Sequence, residues 1–147
     1  MPDRICSLAE GWIGTPFVPR ASLRGAGADC VGLARGLWRE CYGAEPWPLP
    51  PYDPVTPLQG EEHLQNILPR YLLPRPVADM RAGDLLLFRL HPHLPPRHLG
   101  LAMPGGRFLH ALAPAGVTLA HLSAPWRRRV AGCFVFAPLT GATLYKD

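Results

Sequence analysis

A chain of 147 residues that is 48% hydrophobic and 18% charged holds enough apolar side chain for one core and not for two, which predicts a single domain over residues 1–147. Apolar residues in periodic blocks exclude a disordered chain, and no apolar run is long enough for a transmembrane helix, so no membrane insertion is expected. The formal charge of +4, with Arg supplying fourteen of the fifteen basic residues, favours anionic surroundings without choosing among peptidoglycan, lipid headgroups and nucleic acid.

Residues 1–17 carry Asp3 and Glu10 and lack the unbroken apolar core of a secretory leader, which leads us to expect synthesis in the cytoplasm without a signal peptide. The four cysteines, Cys6, Cys30, Cys41 and Cys133, have no C-x-x-C spacing and are expected as thiols in a reducing compartment. Ile5, Leu8, Ala9, Trp12 and Ile13 recur at helical spacing, with Asp3 placed to cap the start and Gly14 the end, which predicts a first amphipathic helix. Residues 15–28 read as a loop. Asp29 caps a second helix from Cys30 to about Tyr42, stopped by Gly43; Gly32 and Gly36 form a flat ridge on it, suited to close packing on a sheet.

Six prolines between Ala44 and Pro57 forbid helix and central strand and predict an extended surface excursion. Leu64, Ile67 and Leu68 mark a short helix from about Leu58 that Pro69 ends or kinks. The period then changes to that of strands: a turn at Arg81–Gly83, a strand from Asp84 to Leu90, a His/Pro loop to Pro96, and strands at 98–103, 107–112, 117–122 and 130–137. Helices first and antiparallel strands second make an α+β fold.

Cys30 sits in the first turn of a helix, where free backbone N–H groups and the helix dipole favour the thiolate. That placement predicts a depressed thiol pKa and fast alkylation at pH 6. Asp29 beside it opposes this, so an imidazolium partner is also required. His98 and His110 flank the turn Pro104-Gly105-Gly106, and the loop length decides whether they share a face. A two-residue loop pairs Leu101 with His110 and separates the rings; a three-residue loop pairs Gly100 with His110 and brings them together as diagonal neighbours. We take the three-residue loop, with the small Gly100 and Ala102 leaving room for the Cys30 helix. His98 is then the base for Cys30, His110 orients it through the other ring nitrogen, and backbone N–H groups around Cys30 supply the oxyanion hole. A lone cysteine at a helix start is more often a packing residue, and the histidine hairpin is what tips the reading to catalysis.

The ordered pieces Gly14-Thr15-Pro16-Phe17, Gly27-Ala28-Asp29-Cys30-Val31-Gly32-Leu33, Arg81 through Phe88, His98-Leu99-Gly100-Leu101 and Phe108-Leu109-His110-Ala111 resemble the motif set of NlpC-type cysteine peptidases. The resemblance implies a papain-like core with N-terminal helices packed on an antiparallel sheet. It implies a triad of Cys30, His98 and His110, substrate contacts at Phe17, Ser22 and Asp29, no cofactor and no metal. It further implies hydrolysis of peptidoglycan stem-peptide amide bonds, typically between γ-D-glutamate and a diamino acid. The extended Ala21-Ser22-Leu23-Arg24-Gly25 stretch before the cysteine is most similar to short peptidases of phage tail and gene transfer agent modules, implying a tail-tip or hub protein as partner and action in the periplasm or cell wall. Two positions depart from the family pattern: Phe17 stands nearest its usual Tyr, and Val18-Pro19-Arg20 replaces a small, Gly-rich continuation. The alternative reading is a tail-tip adaptor with a weakly active or inactive peptidase fold. His91, His93 and His121 add a His-x-His pattern, but the prolines around it and the lack of a matching carboxylate or cysteine pair argue against zinc. Arg127-Arg128-Arg129 reads as a solvated strand end rather than a nucleic-acid site.

Overall fold

The computed structural model describes residues 1–45 and 64–137. Helix α1 spans Pro2–Glu10 and begins at Met1, because Pro2 at the first position needs no N–H partner there; Asp3 lies in its first turn rather than capping it. Ile5, Cys6 and Ala9 are its buried residues, and Trp12 just beyond its end is buried with them. The helical period stops at Glu10, and a turn to Gly14 at φ 90 leaves Ile13 47% exposed.

Where a loop was expected, a short hairpin forms from β1 (Ser22–Leu23) and β2 (Gly27–Ala28), with Phe17 bridging to Ala28 in parallel. Helix α2 spans Cys30–Tyr42 as its signals predict: Asp29 in extended conformation accepts from the Gly32 N–H, and Gly43 closes the end in left-handed conformation. The glycine ridge meets different partners from those expected. A Cβ on Gly32 would lie 1.8 Å from the Ala21 carbonyl oxygen and one on Gly36 2.2 Å from the Trp12 ring, so the ridge seats the segment before the cysteine and the end of α1. The sheet is met instead by Leu33, Ala34 and Leu37, which pack with Leu85, Leu99 and Leu101.

The proline-rich excursion beyond Glu45 and the start of the third helix lie outside the described residues. Helix α3 (Leu64–Ile67) runs into a tighter turn over Leu68–Arg70 with Pro69 near its start, a place proline tolerates, so Pro69 changes the helix type rather than ending the coil. Strands β3 (Leu73–Pro74), β4 (Leu85–Phe88), β5 (His98–Met103), β6 (Arg107–Leu112), β7 (Gly116–His121) and β8 (Val130–Val135) make an antiparallel sheet ordered β3-β8-β4-β5-β6-β7. Helix α4 (Ala124–Arg128) precedes β8, where only a connection was read; Pro125 near its start and Ser123 before it are the overlooked start signals. The fold is α+β, with α1 and α2 on one face of the sheet, as expected.

The two faces are covered differently. One carries the aliphatic core shared with α1 and α2, including Leu85, Leu87, Leu99, Leu101 and Leu109. On the other, Leu86, Phe88, Ala102, Phe108 and Cys133 pack under Val77, Met80 and Trp126. Asp84, buried beneath this layer, accepts from the Arg81 N–H and the Cys133 thiol and pairs with Arg75, so its charge is compensated.

Candidate active site

The hairpin between β5 and β6 uses the three-residue loop. Met103 pairs with Arg107 and Gly100 with His110, and Gly105 and Gly106 take the positive φ values that the turn demands. His98 and His110 therefore share a face, and their rings meet: His98 Nε2 lies 2.9 Å from His110 Nδ1.

That face is not the one α2 covers. A Cβ on Gly100 would meet Phe108 and Phe88 at 3.1 and 3.2 Å. The small residues of β5 thus make room for aromatic rings, and the expectation that they seat the Cys30 helix is corrected. The imidazoles belong to this aromatic layer: the Trp126 ring lies 6.0 Å from that of His98 and 5.2 Å from that of His110, and Phe108 is 4.4 Å from His110. Trp126, which lies in the connection between the strands read at 117–122 and 130–137, roofs the pair. Cys30 approaches from the start of β5 instead. Its thiol donates to the Arg97 carbonyl at 3.8 Å, one residue before His98, and Cys30 and His98 line one cavity of ≈ 440 Å³.

The predicted contact residues separate. Phe17 and Asp29 line that cavity; Ser22 does not. The Ser22 hydroxyl donates to the Gly32 carbonyl at 2.5 Å, which ties β1 to α2, so its geometry supports positioning rather than substrate contact. Asp29 is fully buried, accepting from the Gly32 N–H through Oδ1 and the Arg20 N–H through Oδ2, both at 2.7 Å. It thereby fixes both the cysteine helix and the segment across the cavity. Arg20 and Arg97, which the sequence reading had not singled out as site residues, also line the cavity. Among the described residues no group of three or more His, Cys, Asp or Glu side chains is placed to hold a metal ion.

The electrostatics reverse one expectation. Burial pushes the Cys30 thiol up to about 11, with the Asp29 carboxylate adding to it and the backbone N–H groups of Leu99, Val31 and Cys30 only partly offsetting it. Burial, then His110 and Arg97, lowers His98 to about 3, and burial lowers His110 to about 4. Both directions favour the uncharged forms, a thiol at the half-buried Cys30 and unprotonated imidazoles at His98 and His110. Helix-end stabilisation of a thiolate is smaller than the desolvation cost here. Alkylation of Cys30 by iodoacetamide at pH 6 is therefore expected to run below that of a model thiol and to rise with pH toward about 11. A pH–rate profile with Cys30 labelling located by mass spectrometry checks it.

The same burial couples the histidines to folding. Their folded-state values lie below the usual 6.5, so between about pH 6.5 and 3 the unfolded chain binds more protons and stability falls as pH falls. Urea midpoints measured from pH 7 to 4 are expected to decline, and less steeply in His98→Gln.

No family model matches the sequence. The murein DD-endopeptidase MepS/murein LD-carboxypeptidase of Escherichia coli K12 is 27% identical over 128 residues, which are 86% of this chain and 58% of that protein. The γ-DL-glutamyl hydrolase of Bacillus subtilis 168 is 27% identical over 133 residues, 90% of this chain and 29% of that protein. The chain thus spans little more than half the length of the first of these relatives and under a third of the second. Among solved structures, the NlpC/p60 domain of the peptidoglycan hydrolase SagA superposes with a TM-score of 0.63 at 22% identity, covering 92% of this chain and 99% of that one. An NlpC/p60 family protein from Bacillus cereus gives 0.65 at 17% identity, covering 90% of this chain and 39% of the other. With helices on one sheet face, a cysteine at a helix start and two joined imidazoles at the end of the neighbouring strand, this chain has the NlpC/p60 fold.

Proposed function

We propose that the protein is a cysteine peptidase that hydrolyses amide bonds in peptidoglycan stem peptides, with Cys30 as nucleophile, His98 as base and His110 as the residue that orients it. The observation that carries the reading is the 2.9 Å contact between His98 Nε2 and His110 Nδ1 beside a cavity that Cys30 lines. For His98 to act as base, Nδ1 must be unprotonated, so Nε2–H donates to His110 Nδ1. In that tautomer His110 holds the ring and stabilises the cation formed as His98 takes the thiol proton.

A thiol that rests protonated calls for general-base catalysis. As the sulfur attacks the amide carbon, its proton passes to His98 Nδ1, and the oxyanion is held by backbone N–H groups at the start of α2. His98 returns the proton to the leaving amine, which departs and leaves a thioester on Cys30. Water, giving a proton to His98, then releases the acid and restores the thiol.

The finer reading is cleavage between γ-D-glutamate and a diamino acid, supported by the motif resemblance and by a relative named for γ-glutamyl hydrolysis. Delivery by a phage-like tail, with a tail-tip or hub protein as partner and the cell wall as site of action, is supported by the stretch from Ala21 to Gly25 that resembles tail-module peptidases. The test is release of stem-peptide fragments from purified sacculi, read by mass spectrometry. Wild type is expected to release them and Cys30→Ser to fall by about a thousandfold or more; equal release by the two would end the proposal.

A second reading, a tail-tip adaptor with little catalysis, is favoured by Phe17, which brings no hydroxyl to the cavity, and by the raised thiol. Co-purification with tail proteins unchanged by Cys30→Ala, together with intact sacculi, selects it.

A further inference from the structure

Between β7 and β8 the chain has to cross the sheet. β7 is an edge strand, and β8 lies on the far side of β6, β5 and β4. The crossing runs over the aromatic face, where α4 sets down Trp126. Both ends of it are tied to the strands beneath: the Leu122 N–H donates to the Gly106 carbonyl at 2.9 Å, and the Arg89 N–H to the Arg129 carbonyl at 2.7 Å. Trp126 is thus held in place over the sheet, with the Arg129 guanidinium carbon 5.6 Å from its ring centre.

Beneath it lies the imidazole pair. The Trp126 ring is 5.2 Å from that of His110, edge-on at 84°, and 6.0 Å from that of His98, separations at which aromatic rings attract. From the sheet, Phe88 comes within 5.7 Å of His98 and Phe108 within 4.4 Å of His110. Phe88 and Phe108 are fully buried and both histidines nearly so, whereas Trp126 is half-buried; it is the outermost ring of the layer. His98 lines the Cys30 cavity and Trp126 does not, so the pair faces the cavity on one side and the indole on the other. A hydrogen bond between two rings is strongest where water cannot compete for either nitrogen.

We propose that Trp126 is a positioning residue for the base: its indole keeps water from the His98–His110 hydrogen bond on the side away from the cavity, and so holds the His98 ring in its working orientation. The inference rests on the peptidase reading for what His98 does. An indole carries no charge, so it acts on the pair by filling space that water would take. The titratable and charged groups around the pair are Arg97 before β5 and His110 on β6, both of which push His98 down, Arg89 after β4, Arg127, Arg128 and Arg129 beside Trp126, and Cys30 with its cap Asp29 along the cavity. Trp126→Ala leaves all of them in the chain and takes away burial, the first cause that lowers both imidazoles. Both are then expected to rise toward the ordinary 6.5, and His98 to be lost as a base at a higher pH.

The test reads pH dependence in the full chain. Trp126→Ala is expected to lower kcat on stem peptides about tenfold at pH 7.5 with KM nearly unchanged, and to move the acid limb of the kcat/KM profile up by about one pH unit or more. Trp126→Phe is expected to keep the parental limb, and so is Arg129→Gln, which removes the neighbouring charge and keeps the indole. Circular dichroism checks folding, and Trp126→Leu, with a smaller shift of the same sign, replaces the alanine variant if that one does not fold. In the Cys30→Ala background, the ring C–H resonances of His98 and His110 at pH 5.5 are expected at their unprotonated positions with Trp126 present and displaced toward the protonated ones in Trp126→Ala. An acid limb and ring resonances that stay at parental positions would show that Trp126 only fills the layer. A shift reproduced by Arg129→Gln, or a change confined to KM, would equally overturn the proposal. The resonances need no turnover, so absence of cleavage by the parent with the resonance shift preserved rejects the peptidase reading and retains the water-excluding role of the indole.

Discussion

His98→Ala is expected to lower kcat/KM on stem peptides by about a thousandfold or more, with little change in KM, because the proposed mechanism passes the thiol proton to His98 and the carboxylate lining the cavity, Asp29, already accepts from two backbone N–H groups. The resting thiol, pushed up to about 11, makes this dependence steeper than in an enzyme whose cysteine is already ionised. His110→Ala is expected to cost less, about tenfold to a hundredfold, since it removes the partner of His98 Nε2 and leaves the base in place. His110→Asn keeps an acceptor near that nitrogen and should recover part of the loss. Single-turnover rates of the three variants, with circular dichroism to confirm folding, decide it. A His98→Ala protein as active as wild type would show that the imidazole pair is a packing feature of the aromatic layer.

Gly32→Ala carries the second large effect, on folding and site together. The added Cβ would sit 1.8 Å from the Ala21 carbonyl oxygen and 2.9 Å from its carbon, both backbone atoms. Ala21 is not free to retreat: its N–H closes the turn to Val18, and next to it Ser22 is bonded to the Gly32 carbonyl. Either the strap from Val18 to Ser22 or the first turn of α2 must shift, at a cost of about 3 kcal/mol or more. Both lie at the cavity, so activity should fall along with the melting temperature. Gly25→Ala is the contrasting case, since its Cβ would meet nothing within 4 Å and only the positive φ of 82 is violated; about 1 kcal/mol is expected. Thermal melts of the two variants side by side separate steric collision from backbone strain.

The correction at Gly100 shows why some features were legible in the sequence and others were not. Of the two loop lengths open to the β5–β6 turn, parity lets residues 98 and 110 share a face only with three residues, and that is the register formed. What the shared face looks at depends on which layer packs there. Gly100 and Ala102 are small in either case, and no local signal separates a helix from a set of phenyl and indole rings. The same holds for the ridge of Gly32 and Gly36, whose flatness is written in the chain while its partners, Ala21 and Trp12, come from other elements. Trp126 escaped notice because α4 is a five-residue helix, too short for periodicity to reveal.

The sequence by itself determined the limits of α2, through a carboxylate cap and a left-handed glycine. It also determined the α+β order of elements, since both depend on dihedral preferences and periods acting over a few residues, and it narrowed the histidine hairpin to two registers, of which the structure has the one pairing Gly100 with His110. Only the tertiary structure decided that the imidazoles lie in an aromatic layer across the sheet from α2, that the thiol lies against the Arg97 carbonyl just before β5, and that the Ser22 hydroxyl bonds to α2. It set the direction in which burial moves each group as well, the thiol upward and both imidazoles downward. Burial and proximity are properties of what packs around a group, and at Cys30 the loss of water outweighs the local dipole from which the opposite charge state had been read.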